Sequence, residues 1–270
     1  PLMRPFDHFD QADLVFMEST YGDRNHKSFD ETIIEFEKII LEAFESGAKI
    51  LVPTFAIGRA QQIIYHMADL FHSEKVAPFP IYLDSPMAIK ALTVYRENQD
   101  LLDAEFHELK SKGAFPLKNE YFIPCTTAED SKMLNEVKGP CLILAGAGMC
   151  NGGRILHHLY HNIENPNTHI LIVGYQSYAS LGRKLVEKQA VVRIFGEEKR
   201  LKAKVHTLSG FSAHAGQADL LNWFSYLAPS KPKVVITHGE DVQRETLASL
   251  IKSKYELDSI LPEIGDVIEL

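Results

Sequence analysis

Two histidines in the last third of the chain have the surroundings of functional residues. His214 lies in Ser-Ala-His-Ala-Gly, and His238 follows 24 residues later in Thr-His-Gly-Glu. Each stands between a predicted strand and a predicted helix, so the two side chains could converge at one edge of a sheet. Imidazole suits both proton transfer near neutral pH and zinc ligation. A single histidine is more often a hydrogen-bonded structural residue, but the pairing favours a site.

An acidic side chain closes the first predicted strand. Residues 13–18 read Asp-Leu-Val-Phe-Met-Glu, and Glu18 opens the segment Glu-Ser-Thr-Tyr-Gly-Asp. A carboxylate at the end of a buried strand needs a partner, because its desolvation otherwise costs free energy. The pattern allows two interpretations: Glu18 caps a turn, or it orients a histidine.

Two loops have the composition of phosphate-binding segments. Gly58 and Arg59 precede a predicted helix, where the glycine lets the backbone approach a ligand and the guanidinium offers several donors. The segment 146–154, Gly-Ala-Gly-Met-Cys-Asn-Gly-Gly-Arg, directs backbone N–H groups and a helix dipole at an anion. Its glycine spacing fits neither the dinucleotide fingerprint nor a Walker loop. Each loop alone is weak evidence, since a solvated arginine at a helix start is common.

Strand-like and helix-like segments alternate along the chain, which is typical of an α/β fold with a largely parallel sheet. Ser28 and Glu31 fit a capping box at the start of the first helix, and Gly47 is placed to end it. Apolar patterns predict further strands at 50–52, 81–83, 121–123, 141–145, 169–173 and 233–237. They predict further helices at 59–71, 87–98, 128–137, 154–163, 180–188, 216–227 and 241–252. A hairpin around Gly196 is predicted at the joint between two units, and a last strand at 267–270.

The composition is that of an ordinary soluble, globular protein. Of 270 residues, 45% are hydrophobic and 24% are charged, and no apolar run reaches the length of a membrane span. The three cysteines form no CxxC pair, so we expect reduced thiols in a cytoplasmic protein. The net charge of −8 argues against a surface that coats nucleic acid generally, although a local basic groove stays compatible with it.

Five segments, in this order, resemble one known family. They start at Glu18 (ESTYG), Pro53 (PTFAIGRAQ), Gly148 (GMCNGGR), Ser209 (SGFSAHAG) and Thr237 (THGE). The combination is similar to the β-CASP branch of the metallo-β-lactamase superfamily, from about residue 13 to the end. The resemblance implies an α/β architecture in which a β-CASP domain, a parallel sheet flanked by helices, is inserted into a metallo-β-lactamase αββα sandwich. Residues 1–22 would then be a strand of the sandwich, 23–207 the β-CASP domain, and 208–270 the C-terminal part of the sandwich.

The resemblance also implies roles for individual residues. Glu18 matches an acid that holds a histidine, His214 matches the general acid that protonates the leaving oxygen, and His238 matches a zinc ligand. In the family, two zinc ions share a bridging hydroxide that attacks phosphorus. The implied activity is zinc-dependent hydrolysis of RNA, with single-stranded RNA and a second copy of the chain as expected partners and no membrane. RNA phosphates would be bound by Arg59, Gly148, Gly152, Gly153, Arg154 and Ser177.

The chain departs from the family upstream of Glu18. There the family carries an HxHxDH motif, a further histidine and a bridging aspartate, whereas this chain has only Asp7, His8, Asp10 and Asp13 at other spacings. We therefore expect the chain to be a portion of a longer enzyme, inactive by itself, with zinc absent or weakly bound.

Several alternatives stay open at this stage. A non-catalytic RNA-binding or scaffold member of the family would share the motifs, although loss of catalytic function usually damages residues such as Glu18 and His214. A Rossmann-like nucleotide-binding protein needs an acid to hold ribose, and Asp84 could serve, but the glycine spacing is poor. A small-molecule hydrolase of the superfamily would not need a β-CASP insertion. DNA as substrate, and endonuclease against 5′-exonuclease action, are also undecided.

Overall fold

The computed structural model describes residues 8–113 and 121–269, which form two compact units. The larger unit is Ser28–Phe211, and the smaller combines the described residues up to Lys27 with those from Ser212 onward. Within the described ranges, no helix has the length and apolar character needed to cross a bilayer.

The larger unit contains six parallel strands. They are β2 Lys49–Pro53, β3 Ile81–Asp84, β4 Phe122–Pro124, β5 Cys141–Ala145, β6 Thr168–Ile172 and β9 Lys204–Thr207. Their order across the sheet is β4-β3-β5-β2-β6-β9, and every neighbouring pair is parallel. This arrangement confirms the predicted α/β class with a parallel sheet.

Helices cover both faces of this sheet because both faces are apolar. Side chains alternate across a strand, so Ile50 and Val52 join one buried cluster and Leu51 joins the other. The first cluster includes side chains of α1 Phe29–Glu45, α2 Arg59–His72 and α3 Pro86–Glu97. A short α4 Ala104–Ser111 packs against α2. The second cluster lies beneath α5 Ala128–Met133, α6 Ile155–Asn162, α7 Leu181–Val186 and the antiparallel hairpin β7 Val191–Ile194 and β8 Glu197–Arg200.

Local sequence signals account for the start and end of α1. The Ser28 hydroxyl accepts a hydrogen bond from the Glu31 backbone N–H at 3.2 Å, and the Glu31 carboxylate accepts one from the Ser28 N–H at 3.0 Å. The predicted capping box is therefore confirmed; such a cap typically contributes about 1 kcal/mol. Gly47 follows the helix at φ 60°, a left-handed conformation that glycine adopts without a steric penalty.

Three predictions of local structure differ from the structure. The pattern did not reveal α4, in which only Phe106 and Leu109 are buried, so its apolar periodicity is weak. The hairpin forms as predicted but is not the joint between the units: its Val192 and Ile194 are buried in the larger unit, whose boundary falls after Phe211. Residues 267–269 form no strand, because the short strand Ser259–Ile260 takes the place beside the sheet of the smaller unit.

The smaller unit has a three-stranded parallel sheet. Its strands are β1 Leu14–Met17, β10 Lys233–Ile236 and β11 Ser259–Ile260, in the order β1-β10-β11, with helices α8 Gln217–Ser225 and α9 Asp241–Tyr255. Alternate strand residues, among them Met17 and Ile236, form a core with Phe224 and Leu247 of the helices. Met17 and Ile236 are also partners in register, so β1 and β10 end at the same edge.

The cysteines are buried free thiols. Cys125, Cys141 and Cys150 form no disulfide with one another. Burial raises the pKa of Cys125 and Cys150 to about 12 and that of Cys141 to about 11. The thiolate is the reactive form, so these side chains act as core residues rather than nucleophiles or metal ligands.

Candidate catalytic site

The ends of β1 and β10 bring two of the predicted site residues together. Glu18 directly follows β1, and His238 lies two residues beyond the end of β10. The Ser19 N–H donates to the His238 carbonyl at 3.3 Å, which ties the two loops. Gly239 is required here, because a Cβ at its position would lie 2.3 Å from the Ser19 Oγ.

His214 reaches the same place from the loop before α8. Its Nδ1 lies 3.2 Å from the Glu18 Oε2, and the Ala215 N–H donates to the Glu18 Oε1 at 3.1 Å. The imidazole of His26 lies 2.8 Å from the His214 carbonyl and contributes to holding the loop. The rings of His214 and His238 stack with centroids 5.0 Å apart. The three residues predicted from sequence thus form one cluster in the smaller unit.

Thr20 is a residue of this cluster that sequence reasoning missed. Its side chain is buried, and its Oγ1 lies 3.2 Å from the Nδ1 of His214 and 3.2 Å from the Nδ1 of His238. The same hydroxyl donates to the His238 carbonyl at 3.1 Å. Its place in the Glu-Ser-Thr-Tyr-Gly segment was the available signal, but only the fold shows that both rings meet this hydroxyl.

One assignment of the ring protons satisfies these contacts together. A carbonyl oxygen can only accept, so the hydroxyl hydrogen of Thr20 is used at His238 O. Its two lone pairs then accept from both Nδ1–H groups; no other assignment makes all three contacts hydrogen bonds. The ionised Glu18 carboxylate can only accept a hydrogen bond, so its contact with His214 also requires a proton on Nδ1. In the neutral rings, both Nε2 atoms therefore carry a lone pair available to a proton or a metal.

The electrostatics keep Glu18 ionised. Burial of the carboxyl group favours its neutral form, but hydrogen bonds from His214 and Thr20, together with the charge on His214, outweigh burial and lower the pKa of Glu18 to about 2. The ionised carboxylate is thus available to accept a hydrogen bond from the His214 Nδ1–H at 3.2 Å.

The donor atoms of this cluster fit a zinc ion in part. Glu18, His214 and His238 each offer one ligand-type atom, and these atoms lie within 4.8 Å of one another. However, the Glu18 oxygens already accept from Thr20 N at 2.8 Å and from Ala215 N at 3.1 Å. The exposed His238 has an Nε2 without a hydrogen-bond partner in the described ranges, so it is the donor best placed to bind a metal.

The residues predicted to bind phosphate lie on loops of the larger unit. Arg59 follows β2, the segment from Gly148 to Arg154 follows β5, and Ser177 follows β6. Since β2 pairs with both β5 and β6, these loops adjoin at one sheet edge. Hydrogen bonds connect them: the Gln176 amide donates to the Gly148 carbonyl at 3.0 Å.

Several of these loop residues have structural partners. Gly148 is buried, and a Cβ there would lie 2.9 Å from the Phe55 ring. Gly153 has φ 74°, and its Cβ would lie 2.3 Å from the Gly146 carbonyl oxygen. Arg59 donates to Gln62, and the Ser177 hydroxyl to Met149 at 3.2 Å. Packing thus explains the two glycines without a ligand, and phosphate binding by this loop stays a prediction.

Arg154 takes part in a buried network centred on Asp84. The Asp84 carboxylate is fully buried and accepts from Arg154 Nη1 at 2.7 Å, His158 Nε2 at 2.7 Å and Ser131 Oγ at 2.5 Å. Burial opposes its ionisation, but these hydrogen bonds dominate and hold the pKa of Asp84 below its usual value. Asp84 is therefore engaged within the protein, which removes the support for a ribose-binding acid of the Rossmann type.

Two family models match this chain. One, described as a Beta-Casp domain, matches residues 60–185, inside the larger unit. The chain belongs to the β-CASP family of metallo-β-lactamase-fold proteins. The other model, described as a Zn-dependent metallo-hydrolase RNA specificity domain, matches residues 198–262 and contains both His214 and His238.

Curated relatives extend this comparison. Ribonuclease TTHA0252 of Thermus thermophilus is 42% identical over 240 residues, which are 89% of this β-CASP chain and 54% of that protein. Transcription termination factor FttA of Pyrococcus abyssi is 29% identical, covering 97% of this chain and 41% of that protein. An RNase J-like protein of Methanocaldococcus jannaschii is 29% identical, covering 97% of this chain and 60% of that protein. The chain thus spans about half the length of these relatives.

Proposed function

We propose that this β-CASP chain carries part of the active site of a zinc-dependent phosphodiester hydrolase that acts on RNA. The observation that carries the proposal is the cluster of Glu18, His214 and His238, in which the Nδ1 contacts leave both Nε2 atoms available. The ribonuclease and RNase J-like names of the relatives support RNA as the substrate class.

In this proposal His214 protonates the leaving oxygen. As water attacks phosphorus and the bond from phosphorus to the leaving oxygen breaks, that oxygen takes the Nε2 proton of the imidazolium. The Glu18 carboxylate, 3.2 Å from Nδ1, stabilises the charged ring before the transfer and fixes its orientation. The Thr20 hydroxyl accepts a second hydrogen bond from the same Nδ1–H.

His238 is proposed as a zinc ligand through Nε2. Zinc, when bound, supplies Lewis acidity and a strong nucleophile near neutral pH. Catalytic zinc normally needs about three protein ligands. Within the described ranges, Glu18, His214 and His238 are the one group of three possible metal ligands. In this proposal Glu18 positions His214 and His214 donates the proton, which leaves His238 as the zinc ligand. We therefore propose that this chain alone holds at most one zinc ion and does not cleave RNA.

The larger unit is proposed to be the β-CASP domain and to contact single-stranded RNA. The loops after β2, β5 and β6 supply Arg59, the 146–154 segment and Ser177 at one sheet edge. Ligands of parallel sheets commonly bind at this edge. Arg59 and Arg154 are both proposed to contact an RNA phosphate; Arg59 also donates to Gln62, and Arg154 also donates to Asp84.

Cleavage of a labelled single-stranded RNA by the full-length gene product tests the proposal. His214→Ala should lower turnover by about 10²–10⁴-fold, as is typical of a lost general acid, with little change in melting temperature. The exposed His72 provides a control, because His72→Ala removes an imidazole elsewhere. An unfolded variant or an unaltered rate contradicts the role of His214. RNA binding without cleavage by the wild-type protein would favour the alternative, a non-catalytic RNA-binding or scaffold member of the family.

A further inference from the structure

A cavity in the larger unit has no part in the catalytic cluster. Its volume is about 400 Å³, and its lining residues are Ala128, Ser131, Lys132, Asn135, Arg154, His157 and His161. We propose that this cationic cavity binds a phosphate group, either of a small phosphorylated molecule or of an RNA end. Phosphate binding at this cavity is separate from the proposed function, because it requires neither zinc nor cleavage of RNA.

Helical spacing explains how one cavity collects these side chains. The lining residues at positions 128, 131, 132 and 135 recur at intervals of three and four residues, so they lie on one face of α5 and the turn that follows it. Arg154, His157 and His161 are spaced by three and four residues at the start and along α6, so they also share a face. The cavity lies where these two faces meet.

Asp84 ties both walls of the cavity to the sheet. It accepts a hydrogen bond from Ser131 of α5 at 2.5 Å and one from Arg154, at the start of α6, at 2.7 Å. His158, on the same helix, adds a third at 2.7 Å. Because Asp84 is fully buried, the two walls are held at a rigid base. A preformed cavity binds a ligand without first ordering mobile side chains.

The charge of the lining is suited to an anion. Among the described residues that line the cavity, Lys132, Arg154, His157 and His161 carry basic nitrogen and none carries a carboxylate, although the chain has a net charge of −8. Partial burial lowers the pKa of His161, and the positive charges of His157, His158, Lys199 and Lys49 lower it further. These neighbours disfavour a further proton on His161, so Lys132 and Arg154 supply the fixed positive charge of the lining.

Arg154 retains donors for a ligand. Its Nη1 donates to Asp84 at 2.7 Å and to the Cys125 carbonyl at 3.0 Å, and its Nη2 donates to the Thr126 carbonyl at 3.3 Å. A guanidinium has five N–H donors, so Nε–H and one Nη2–H are not used by these contacts. The side chain is 23% exposed and belongs to the lining of the cavity.

A phosphate group fits this arrangement better than a carboxylate does. Its terminal oxygens accept from several directions, and here donors come from two opposing helical faces rather than from one planar fork. The volume lies in the range of small-ligand pockets, about 300–1,000 Å³. The geometry therefore favours a phosphate monoester that enters the cavity over a backbone phosphate on a flat surface.

Titration calorimetry of the chain with inorganic phosphate and with AMP tests the proposal. A metal chelator is present so that no metal-bound phosphate contributes. We expect one saturable site per chain with a dissociation constant on the order of 1 mM or tighter. Lys132→Gln should weaken it about tenfold, the loss typical of one charge-assisted hydrogen bond, and His161→Gln should also weaken it. Lys138→Gln removes the same charge from an exposed position outside the lining and should leave affinity unchanged.

Competition experiments with two RNA oligomers distinguish the source of the phosphate. A short oligoribonucleotide with a terminal phosphate competes with inorganic phosphate if the cavity binds an RNA end, whereas the same oligomer without that phosphate does not. Competition by AMP alone assigns the cavity to a small phosphorylated molecule. The proposal is overturned if no saturable binding occurs, or if Lys138→Gln weakens binding as much as Lys132→Gln does, because the attraction is then diffuse. Neither result depends on whether His214 acts in catalysis.

Discussion

Replacement of Thr20 by valine should change the tautomer of His238 and leave that of His214 unchanged. Thr20→Val keeps a β-branched side chain of similar size in a buried position but removes the hydroxyl. His238 Nδ1 then loses its hydrogen-bond acceptor, because Thr20 Oγ1 is its partner within the described ranges. His214 Nδ1 keeps Glu18 Oε2 at 3.2 Å. The loss should therefore release the ring of His238 and leave the tautomer of His214 as it was.

The expected cost in stability is modest. The substitution removes three hydrogen-bonded contacts of one hydroxyl, but the His238 carbonyl keeps the Ser19 N–H as a donor. With about 1 kcal/mol for each hydrogen bond and partial compensation by water at exposed His238, we expect a loss of about 1–2 kcal/mol. For a chain of this size that corresponds to a fall in melting temperature of about 2–8 °C. The variant should remain folded, so the tautomers can be measured.

Nitrogen-15 spectra of labelled histidine side chains read out the tautomers directly. At a pH at which both rings are neutral, the wild type should show protonated Nδ1 and unprotonated Nε2 on His214 and His238. In Thr20→Val, His238 should shift towards protonated Nε2. If His238 Nε2 binds zinc in the full-length gene product, its zinc affinity should also fall by about 10–100-fold, as is typical for a lost partner of a ligand.

Two controls make this result specific to the hydroxyl of Thr20. Thr20→Ser retains the hydroxyl and should keep the wild-type tautomers. Thr237→Val removes a neighbouring hydroxyl whose hydrogen-bond partner within the described ranges is the Met17 carbonyl, at 3.4 Å, and should leave both rings unchanged. The reasoning is refuted if the wild-type rings carry their protons on Nε2, or if Thr20→Val leaves His238 unaltered.

Three further predictions concern metal content, packing and pH. Elemental analysis of the purified chain should find at most one zinc per molecule; a value near two would show that other residues build the centre. Gly153→Ala should lower the melting temperature, because its φ is 74° and its Cβ would meet Gly146 O at 2.3 Å, whereas Gly152→Ala, with no atom within 4 Å, should not. Burial lowers the pKa of fully buried His169 to about 4. Between about pH 6.5 and 4, this histidine is therefore protonated in the unfolded chain and neutral in the folded chain. The free energy of unfolding, measured in denaturant titrations, should therefore fall by up to about 3 kcal/mol as the pH is lowered from about 6.5 to 4. His169→Leu should reduce this fall, and a variant with the pH profile of the wild type would contradict the assignment.

The amino-acid sequence determined the features that depend on neighbouring residues. The apolar run Cys141–Ala145 was predicted with the bounds it has in β5, because a short apolar segment between turn residues is the local signature of a buried parallel strand. The capping box of Ser28 and Glu31 is equally local, since its two hydrogen bonds join residues three positions apart. The grouping of Glu18, His214 and His238 was also accessible, because each follows a predicted strand or precedes a predicted helix and parallel strands end at a common edge.

Tertiary structure alone decided how those residues are connected. Thr20 meets the imidazole of His238, 218 positions away, because β1 and β10 pair in a register that aligns residues 219 positions apart, and no spacing along the chain shows that register. Arg154 was predicted as a phosphate contact from its place at a glycine-rich helix start, and that place does not show that its guanidinium also binds Asp84, 70 positions away. A buried carboxylate must find donors wherever the packed elements place them, and that placement follows from the order of strands in the sheet rather than from the residues beside it in sequence.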